Sequence, residues 1–148
     1  MSGPTEREAA AGPVDDAALE ALVAEAWAAS ARAYAPYSGF AVGAAVATDA
    51  GVFGGANVEN ASYPVGLCAE RAAMAAAATA GARRLRAVAV ATPTRELTPP
   101  CGMCRQFLWE FAVGADPVVV LVGEGGARRS WHLSELLPEA FGPSSLGR

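Results

Sequence analysis

The three cysteines of the chain fall into two short clusters, and this arrangement constrains the fold more than any other feature. Cys68 precedes Ala69 and Glu70, and Cys101 and Cys104 follow as a pair a little over thirty residues later. A spacing of three places two sulfurs on one side of the first turn of a helix, which is the geometry that a pair of zinc ligands needs. Cys68 is the natural third ligand, so the starts of two helices are predicted to lie side by side.

Three sulfur ligands leave one position of a tetrahedral zinc ion open, which is typical of a catalytic site. The partial positive charge at a helix N-terminus favours thiolate over thiol at Cys68 and Cys101. On a regular helix Cys68 and Glu70 would point to nearly opposite sides, so both are predicted to lie at the helix tip, where Glu70 can exchange a proton with water in the open position. The alternatives are a structural zinc site, which normally has four protein ligands, or buried cysteines without a metal.

Three thiolates around one zinc ion give the cluster a negative net charge, which weakens the metal as a Lewis acid. A nearby cation would offset that charge. Arg71 and Arg105 each adjoin a predicted ligand, so either could donate hydrogen bonds to sulfur. The alternative is that both are surface arginines.

The rest of the composition narrows the chemistry further. The chain has no lysine, which excludes Schiff-base catalysis, and its one histidine, His132, cannot form a histidine pair for a metal. The net charge is −4 and the arginines at positions 83, 84 and 86 form the only basic cluster, so nucleic-acid binding is not expected. Neither an export signal nor a membrane helix is expected, which predicts a cytoplasmic protein with reduced thiols.

Hydrophobic spacing and turn residues predict the order of the elements. Residues 1–14 are predicted to form a flexible tail and residues 15–148 one domain. Helices are predicted at 17–34, 66–80, 102–111 and 133–137, and strands at 40–48, 52–58, 85–91, 117–122 and 128–132. Strands that alternate with helices favour an α/β fold with three layers, in which helices cover both faces of a mixed sheet of about five strands.

The chain resembles the small homotetrameric cytidine deaminases from Tyr34 to about Pro143, and the resemblance is not limited to the cysteine clusters. Zinc deaminases combine a His or Cys ligand, a glutamate that is not a ligand and a Pro-Cys-x-x-Cys pair. The family commonly has serine where this chain has Pro99, and uses the carbonyl group there to accept a hydrogen bond from the substrate amino group, which proline can also do. The matching blocks are Tyr37 to Ala45, Asn57 to Tyr63, Cys68 to Arg71, Pro100 to Gln106 and Glu135 to Pro138.

The resemblance implies a cytidine deaminase-like fold, one zinc ion per subunit and a homotetramer whose sites are completed by neighbouring subunits. Asn57 and Glu59 match the pair that hydrogen-bonds the ribose hydroxyl groups, and their spacing of two puts both on one face of a strand. Phe40 matches the aromatic ring that packs on the pyrimidine, and Phe141 matches one that reaches in from a neighbour. The residues implied to bind substrate are therefore Phe40, Asn57, Glu59, Ala69 and Phe141.

The reaction that the resemblance implies is hydrolysis of cytidine and 2′-deoxycytidine to uridine and 2′-deoxyuridine with release of ammonia, a step of pyrimidine salvage. Zinc activates water, Glu70 moves the protons, and Arg71 matches an arginine that tempers the charge on sulfur. One alternative is a deaminase of a modified cytosine aminonucleoside such as a blasticidin-type antibiotic, although the block over residues 57–60 suits an unmodified ribose. A second alternative is a non-catalytic zinc protein, against which the presence of Glu70 counts.

Overall fold

The computed structural model describes residues 13–148, so the predicted tail lies outside the described residues except for Pro13 and Val14. The helices are α1 (Asp16–Ser30), α2 (Ala69–Thr79), α3 (Gly102–Trp109) and α4 (Leu133–Leu136). The strands are β1 (Gly43–Thr48), β2 (Gly51–Ala56), β3 (Leu85–Ala91), β4 (Val118–Val122) and β5 (Arg128–His132). The predicted order of helices and strands is confirmed. Over residues 13–148, no helix is both long enough and apolar enough to span a membrane.

The strands form a mixed sheet of five in the order β2-β1-β3-β4-β5. Strand β1 pairs antiparallel with β2 and β3, β3 pairs parallel with β4, and β4 pairs antiparallel with β5. The parallel pair needs a crossover connection, which α3 provides. The carboxyl ends of β3 and β4 therefore lie at the same edge of the sheet, next to the start of α3.

Helices cover both faces of the sheet, so the predicted three-layer arrangement is confirmed. Side chains alternate between the two faces along each strand. In β1, Ala45 and Ala47 face α1, where they pack with Leu22 and Ala26. The opposite face packs against α2, α3 and α4 through the larger core cluster, which includes Val46, Met74, Val88, Leu108, Val119 and Leu133.

Glycines let two helices approach the sheet closely. A Cβ atom at Gly43 would lie 1.9 Å from the carbonyl oxygen of Ala26 in α1. A Cβ atom at Gly55 would lie 2.4 Å from the backbone nitrogen of Ala73 in α2. Because real Cβ atoms do not approach other atoms so closely, any larger residue at either position would push a helix away from the sheet.

The first strand starts later than predicted because a side chain takes over its hydrogen bonds. The Val42 N–H donates to Asn57 Oδ1 at 2.9 Å, and Asn57 Nδ2 donates to the Phe40 carbonyl at 2.7 Å. The amide of Asn57 thus replaces strand pairing over residues 40–42, and β1 begins at Gly43. Sequence spacing identifies the apolar run but does not show that the Asn57 side chain takes the place of main-chain pairing.

Helix α1 ends at Ser30 instead of the predicted Tyr34. The Ser30 hydroxyl donates to the Trp27 carbonyl at 2.7 Å, and the Arg32 N–H donates to the Ala29 carbonyl at 2.9 Å, which tightens the last turn. The chain then extends, and Tyr34 forms an isolated parallel bridge with Val58.

Candidate active site

The two cysteine clusters meet where α2 and α3 begin. Cys68 is the N-cap residue of α2 and Cys101 is the N-cap residue of α3, and neither side chain makes a capping hydrogen bond. Cys104 lies in the first turn of α3 and is buried. All three Sγ atoms lie within 4.8 Å of one another, and those of Cys101 and Cys104 are 3.4 Å apart.

The donor set fits a zinc ion with an open position. Sulfur donors at these distances suit zinc, and within residues 13–148 the cluster has three members and no fourth protein ligand. A hydrogen bond from Cys104 lowers the pKa of Cys68 to about 5, and Arg71 shifts it in the same direction. Cys68 is therefore ready to bind metal as a thiolate at neutral pH.

Glu70 lies beside the sulfur cluster but is not part of it. Its Oε2 atom is 3.8 Å from Cys104 Sγ, and the residue is only 6% exposed. Burial raises the pKa of Glu70, and the negative charge of Cys68 adds to that effect. A carboxyl group with a raised pKa holds a proton more readily than an exposed glutamate does, which suits a group that must take up and return a proton.

The two arginines considered for the sulfur cluster have different partners. Arg71 Nη2 lies 3.8 Å from Cys68 Sγ and donates to the Gly66 carbonyl at 3.1 Å. Arg105 instead donates to two main-chain carbonyl groups, those of Pro100 and Leu136. The structure therefore places Arg71, and not Arg105, against a sulfur atom.

A cleft of about 310 Å³ leads to the sulfur cluster and holds most of the predicted substrate-binding residues. The cleft brings together residues from five separate segments of the chain. Its lining includes Phe40, Asn57, Glu59, Cys68, Ala69 and Glu70. Two residues of the sulfur cluster, the buried Glu70 and the residues matched to ribose and pyrimidine thus face one space.

Asn57 and Glu59 are held by the main chain that leads into β1. The Asn57 amide contacts residues 40 and 42, and Glu59 Oε1 accepts hydrogen bonds from the N–H groups of Tyr37 and Ser38 at 3.0 and 3.1 Å. Hydrogen bonds from the Ser38 side chain and then from the main chain lower the pKa of Glu59. Each side chain keeps further hydrogen-bonding capacity for a ligand, since a carboxylate can accept about four hydrogen bonds and an amide about four in total.

Phe141 and His132 do not line this cleft. Phe141 is 59% exposed and does not line the cleft, and its carbonyl accepts a hydrogen bond from Gln106 Nε2 at 2.9 Å. His132 lines a different cavity, and its Nδ1 lies 3.2 Å from the carbonyl of Asp116. The single histidine thus has no part in the sulfur cluster.

Sequence reasoning missed several residues of the cleft wall. Val90 and Thr92 lie at the carboxyl end of β3, where ligand sites of α/β sheets commonly form, so the predicted strand bounds alone could have indicated them. Ser38 belongs to a block already matched by resemblance. Thr98 follows no recognisable pattern and is found only through the structure.

The fold and this site define a class of protein. A sulfur cluster with one open position, formed where two helices begin, combines with a buried glutamate at the floor of a cleft in a three-layer α/β/α domain. Zinc-dependent hydrolytic deaminases have this combination.

Comparison with known proteins identifies the family. The family model for the cytidine and deoxycytidylate deaminase zinc-binding region matches residues 17–122. The cytidine deaminase of Sporosarcina psychrophila is 40% identical over 129 residues, which cover 86% of this chain and 94% of the relative. That of Halalkalibacterium halodurans is 46% identical over 121 residues, covering 81% and 91%.

A solved structure agrees. The crystal structure of cytidine deaminase from Burkholderia pseudomallei matches with a TM-score of 0.77 and 46% identity, over 82% of this chain and 98% of that one. This chain belongs to the cytidine deaminase family and is a zinc-dependent hydrolytic deaminase.

Proposed function

We propose that this protein converts cytidine and 2′-deoxycytidine to uridine and 2′-deoxyuridine with release of ammonia, as a step of pyrimidine salvage. The observation that carries the proposal is the position of Glu70. This buried carboxyl group lies 3.8 Å from a sulfur of the metal cluster, on a cleft whose wall also carries Asn57 and Glu59. Relatives at 40 and 46% identity are named cytidine deaminases.

The protein groups divide the reaction between them. Cys68, Cys101 and Cys104 would hold zinc, which supplies Lewis acidity that activates water at neutral pH. Glu70 accepts a proton from water and delivers it to N3 of the pyrimidine as the water oxygen adds to C4. Glu70 then carries the second proton from that oxygen to the amine at C4. The amine leaves as ammonia, and C4 becomes a carbonyl group.

The cleft wall supports binding of a nucleoside. Asn57 and Glu59 lie two residues apart with their side chains anchored, so their remaining donors and acceptors are preorganised for the two hydroxyl groups of a sugar. Phe40 offers an aromatic surface to the pyrimidine, and Ala69 contributes its backbone beside Glu70. The carbonyl of Pro99 is the proposed acceptor for the substrate amino group.

We also propose that the protein is a homotetramer in the cytoplasm and that neighbours complete each site. Phe141 is 59% exposed and Tyr63 is 77% exposed, so both rings present apolar surface that a neighbouring subunit would cover. Phe141 does not line the cleft of its own chain. Under this proposal, the Phe141 ring of a neighbouring subunit lies against that cleft. A site made of three thiolates also needs reduced cysteines, which the cytoplasm maintains.

Replacing Glu70 with glutamine tests the assignment of the proton carrier. Glutamine keeps the size of the side chain but cannot move a proton, so kcat on cytidine is expected to fall by about 10²- to 10⁴-fold while zinc content stays at the wild-type level. Glu110→Gln, an exposed residue at the end of α3, is the matched control and should retain wild-type turnover. A zinc-loaded E70Q protein with near-normal turnover would disprove the assignment.

A substrate panel separates this proposal from its rival. Cytidine, 2′-deoxycytidine and a blasticidin-type aminonucleoside are assayed side by side by ultraviolet absorbance, with zinc measured on the same sample. The two unmodified nucleosides are expected to be the better substrates, because Asn57 and Glu59 suit the hydroxyl groups of an unmodified sugar. Turnover of the antibiotic without turnover of cytidine would reverse the choice.

A further inference from the structure

One wall of the cleft is formed by Thr98, Pro99 and Pro100, which immediately precede the ligand Cys101. The two consecutive prolines carry no N–H group, so at Pro99 and Pro100 the main chain can form hydrogen bonds only through its carbonyl oxygens. The same prolines fix two φ angles and restrict the residue before them. As a result, holding one carbonyl group of this segment also orients its neighbours.

Arg105 supplies such an anchor. Its Nε atom donates to the Pro100 carbonyl at 2.7 Å, and its Nη1 atom donates to the Leu136 carbonyl at 2.8 Å. Leu136 is the last residue of α4 and is buried in the core. One planar guanidinium group therefore ties the cleft wall to a fixed point in the core, on the side away from the cleft.

Arg105 is also connected to the sulfur cluster through the main chain of α3. The backbone N–H of Arg105 donates to the Cys101 carbonyl at 3.0 Å, and Arg105 directly follows Cys104. Arg105 is thus linked to Pro100 by its side chain and to Cys101 and Cys104 by the main chain. A shift of this side chain would move the wall relative to Glu70 and the sulfurs.

We propose that Arg105 is a positioning residue for the reaction, which holds the Thr98–Pro100 wall at the correct distance from Glu70 and the sulfur cluster. This inference rests on the proposed function, because the wall matters to turnover only if substrate occupies the cleft. Arg105 does not line the cleft and acts through the carbonyl of Pro100.

The chain contains a matched control. Arg83 also binds two main-chain carbonyl groups with its side chain, those of Ala78 at 2.9 Å and Ala82 at 2.6 Å, at the end of α2 far from the cleft lining. If arginine–carbonyl links served stability alone, R105M and R83M would have similar effects on turnover.

The experiment compares wild type, R105M, R105K and R83M as zinc-loaded full-length protein. For R105M, kcat/KM on cytidine is expected to fall by about 10- to 100-fold, mainly through kcat, with zinc content unchanged. R105K retains a cation that reaches one of the two carbonyls, so it is expected to recover part of the loss and provides a folded variant if R105M does not fold. R83M should match wild type in kcat and KM.

Amide hydrogen exchange at Leu97, Thr98 and residues 101–104, which flank the two prolines and carry N–H groups, gives a readout independent of activity. Exchange in this segment is expected to be faster in R105M than in wild type and unchanged in R83M. Equal exchange here in R105M and wild type, or equal kcat/KM, overturns the positioning role and leaves cytidine deamination intact. A zinc-loaded wild type without turnover of cytidine or 2′-deoxycytidine instead overturns the proposed function, and the exchange rates still decide whether Arg105 holds the wall.

Discussion

The two ends of α2 are held by different chemistry. At the start, Cys68 occupies the N-cap position without a side-chain hydrogen bond to the helix. At the other end, the Arg83 side chain binds the Ala78 carbonyl, and Asp49 Oδ1 accepts hydrogen bonds from the N–H groups of Arg83 and Arg84 at 3.0 and 3.1 Å. The end of α2 is thus stabilised by protein groups, whereas its start leaves a sulfur free for a metal.

Helix α1 has the capping hydrogen bond that the start of α2 lacks. Asp15 caps α1 by accepting a hydrogen bond from the Ala18 N–H at 2.8 Å. Such a cap contributes about 1 kcal/mol to stability, and neither α2 nor α3 has one. The starts of α2 and α3 therefore depend on the metal that their cysteines bind. Local order at these helix starts should rise when metal binds and fall when it is removed.

Removing the sulfur at the start of α2 should have the largest effect. Cys68→Ala leaves two ligands and removes the thiolate beside Arg71, so zinc is expected to be substoichiometric. The loss in kcat/KM should exceed the roughly 100-fold cost of changing a group that only supports a ligand. Zinc analysis and cytidine assays on the same preparation check this. Full zinc occupancy with retained turnover would show that Cys68 is not a ligand.

Removing the metal should affect the two ends of α2 differently. A chelator is expected to lower the free energy of unfolding by about 4 kcal/mol relative to a sample in which free zinc exceeds Kd by about 1,000-fold. Urea unfolding measures the loss. Amide exchange should accelerate at the starts of α2 and α3 and stay constant near Arg83, at the far end of α2. Uniform acceleration along α2 would contradict the contrast between its ends.

Changing Asp49 should have the smallest effect and no effect on turnover. Burial would raise the pKa of Asp49, but hydrogen bonds from the main chain of Arg83 and Arg84 outweigh it and hold the pKa below 3.8. Because the folded-state pKa is depressed, the stabilisation is complete above the ordinary pKa and is lost as the pH falls through the folded value. The stability difference between wild type and D49N should therefore be constant near neutral pH and shrink below about pH 4. Urea unfolding at several pH values measures it, and a difference that grows on acidification would contradict the assignment.

Much of the fold could be predicted because its elements have clear local signals. Apolar runs, Gly-containing turns and the cysteine spacing fix the order of helices and strands and the meeting of two helix starts. The bounds that failed involve side chains that replace main-chain partners, as Asn57 does for residues 40–42 and Ser30 does at the end of α1. The Asn57 contacts join residues that lie 15 and 17 positions apart, which local patterns do not contain. The Ser30 contact is local, but hydrophobic spacing does not register a hydroxyl group that bonds a carbonyl of its own turn.

The site was predictable to a similar depth. The residues that the structure brings into one cleft include every predicted substrate-binding residue except Phe141. Their roles toward a substrate stay predictions, and so does the role of Phe141, which concerns a second chain. Sequence adjacency to a ligand did not separate Arg71 from Arg105, and only the family resemblance pointed to Arg71. The side-chain directions agree with that choice, since Arg71 contacts a sulfur atom and Arg105 contacts carbonyl groups.

Gly55 gives catalysis a dependence on a residue that has no chemistry of its own. A Cβ atom there would lie 2.9 Å from the Ala69 carbonyl oxygen and 2.4 Å from the Ala73 nitrogen, both in the first turns of α2. Adding a methyl group at this position would lift that part of the helix, and Glu70 and Cys68 would move with it. The spacing between layers thus sets reactivity, and an inert position on a β-strand can alter turnover while every polar group of the site stays the same.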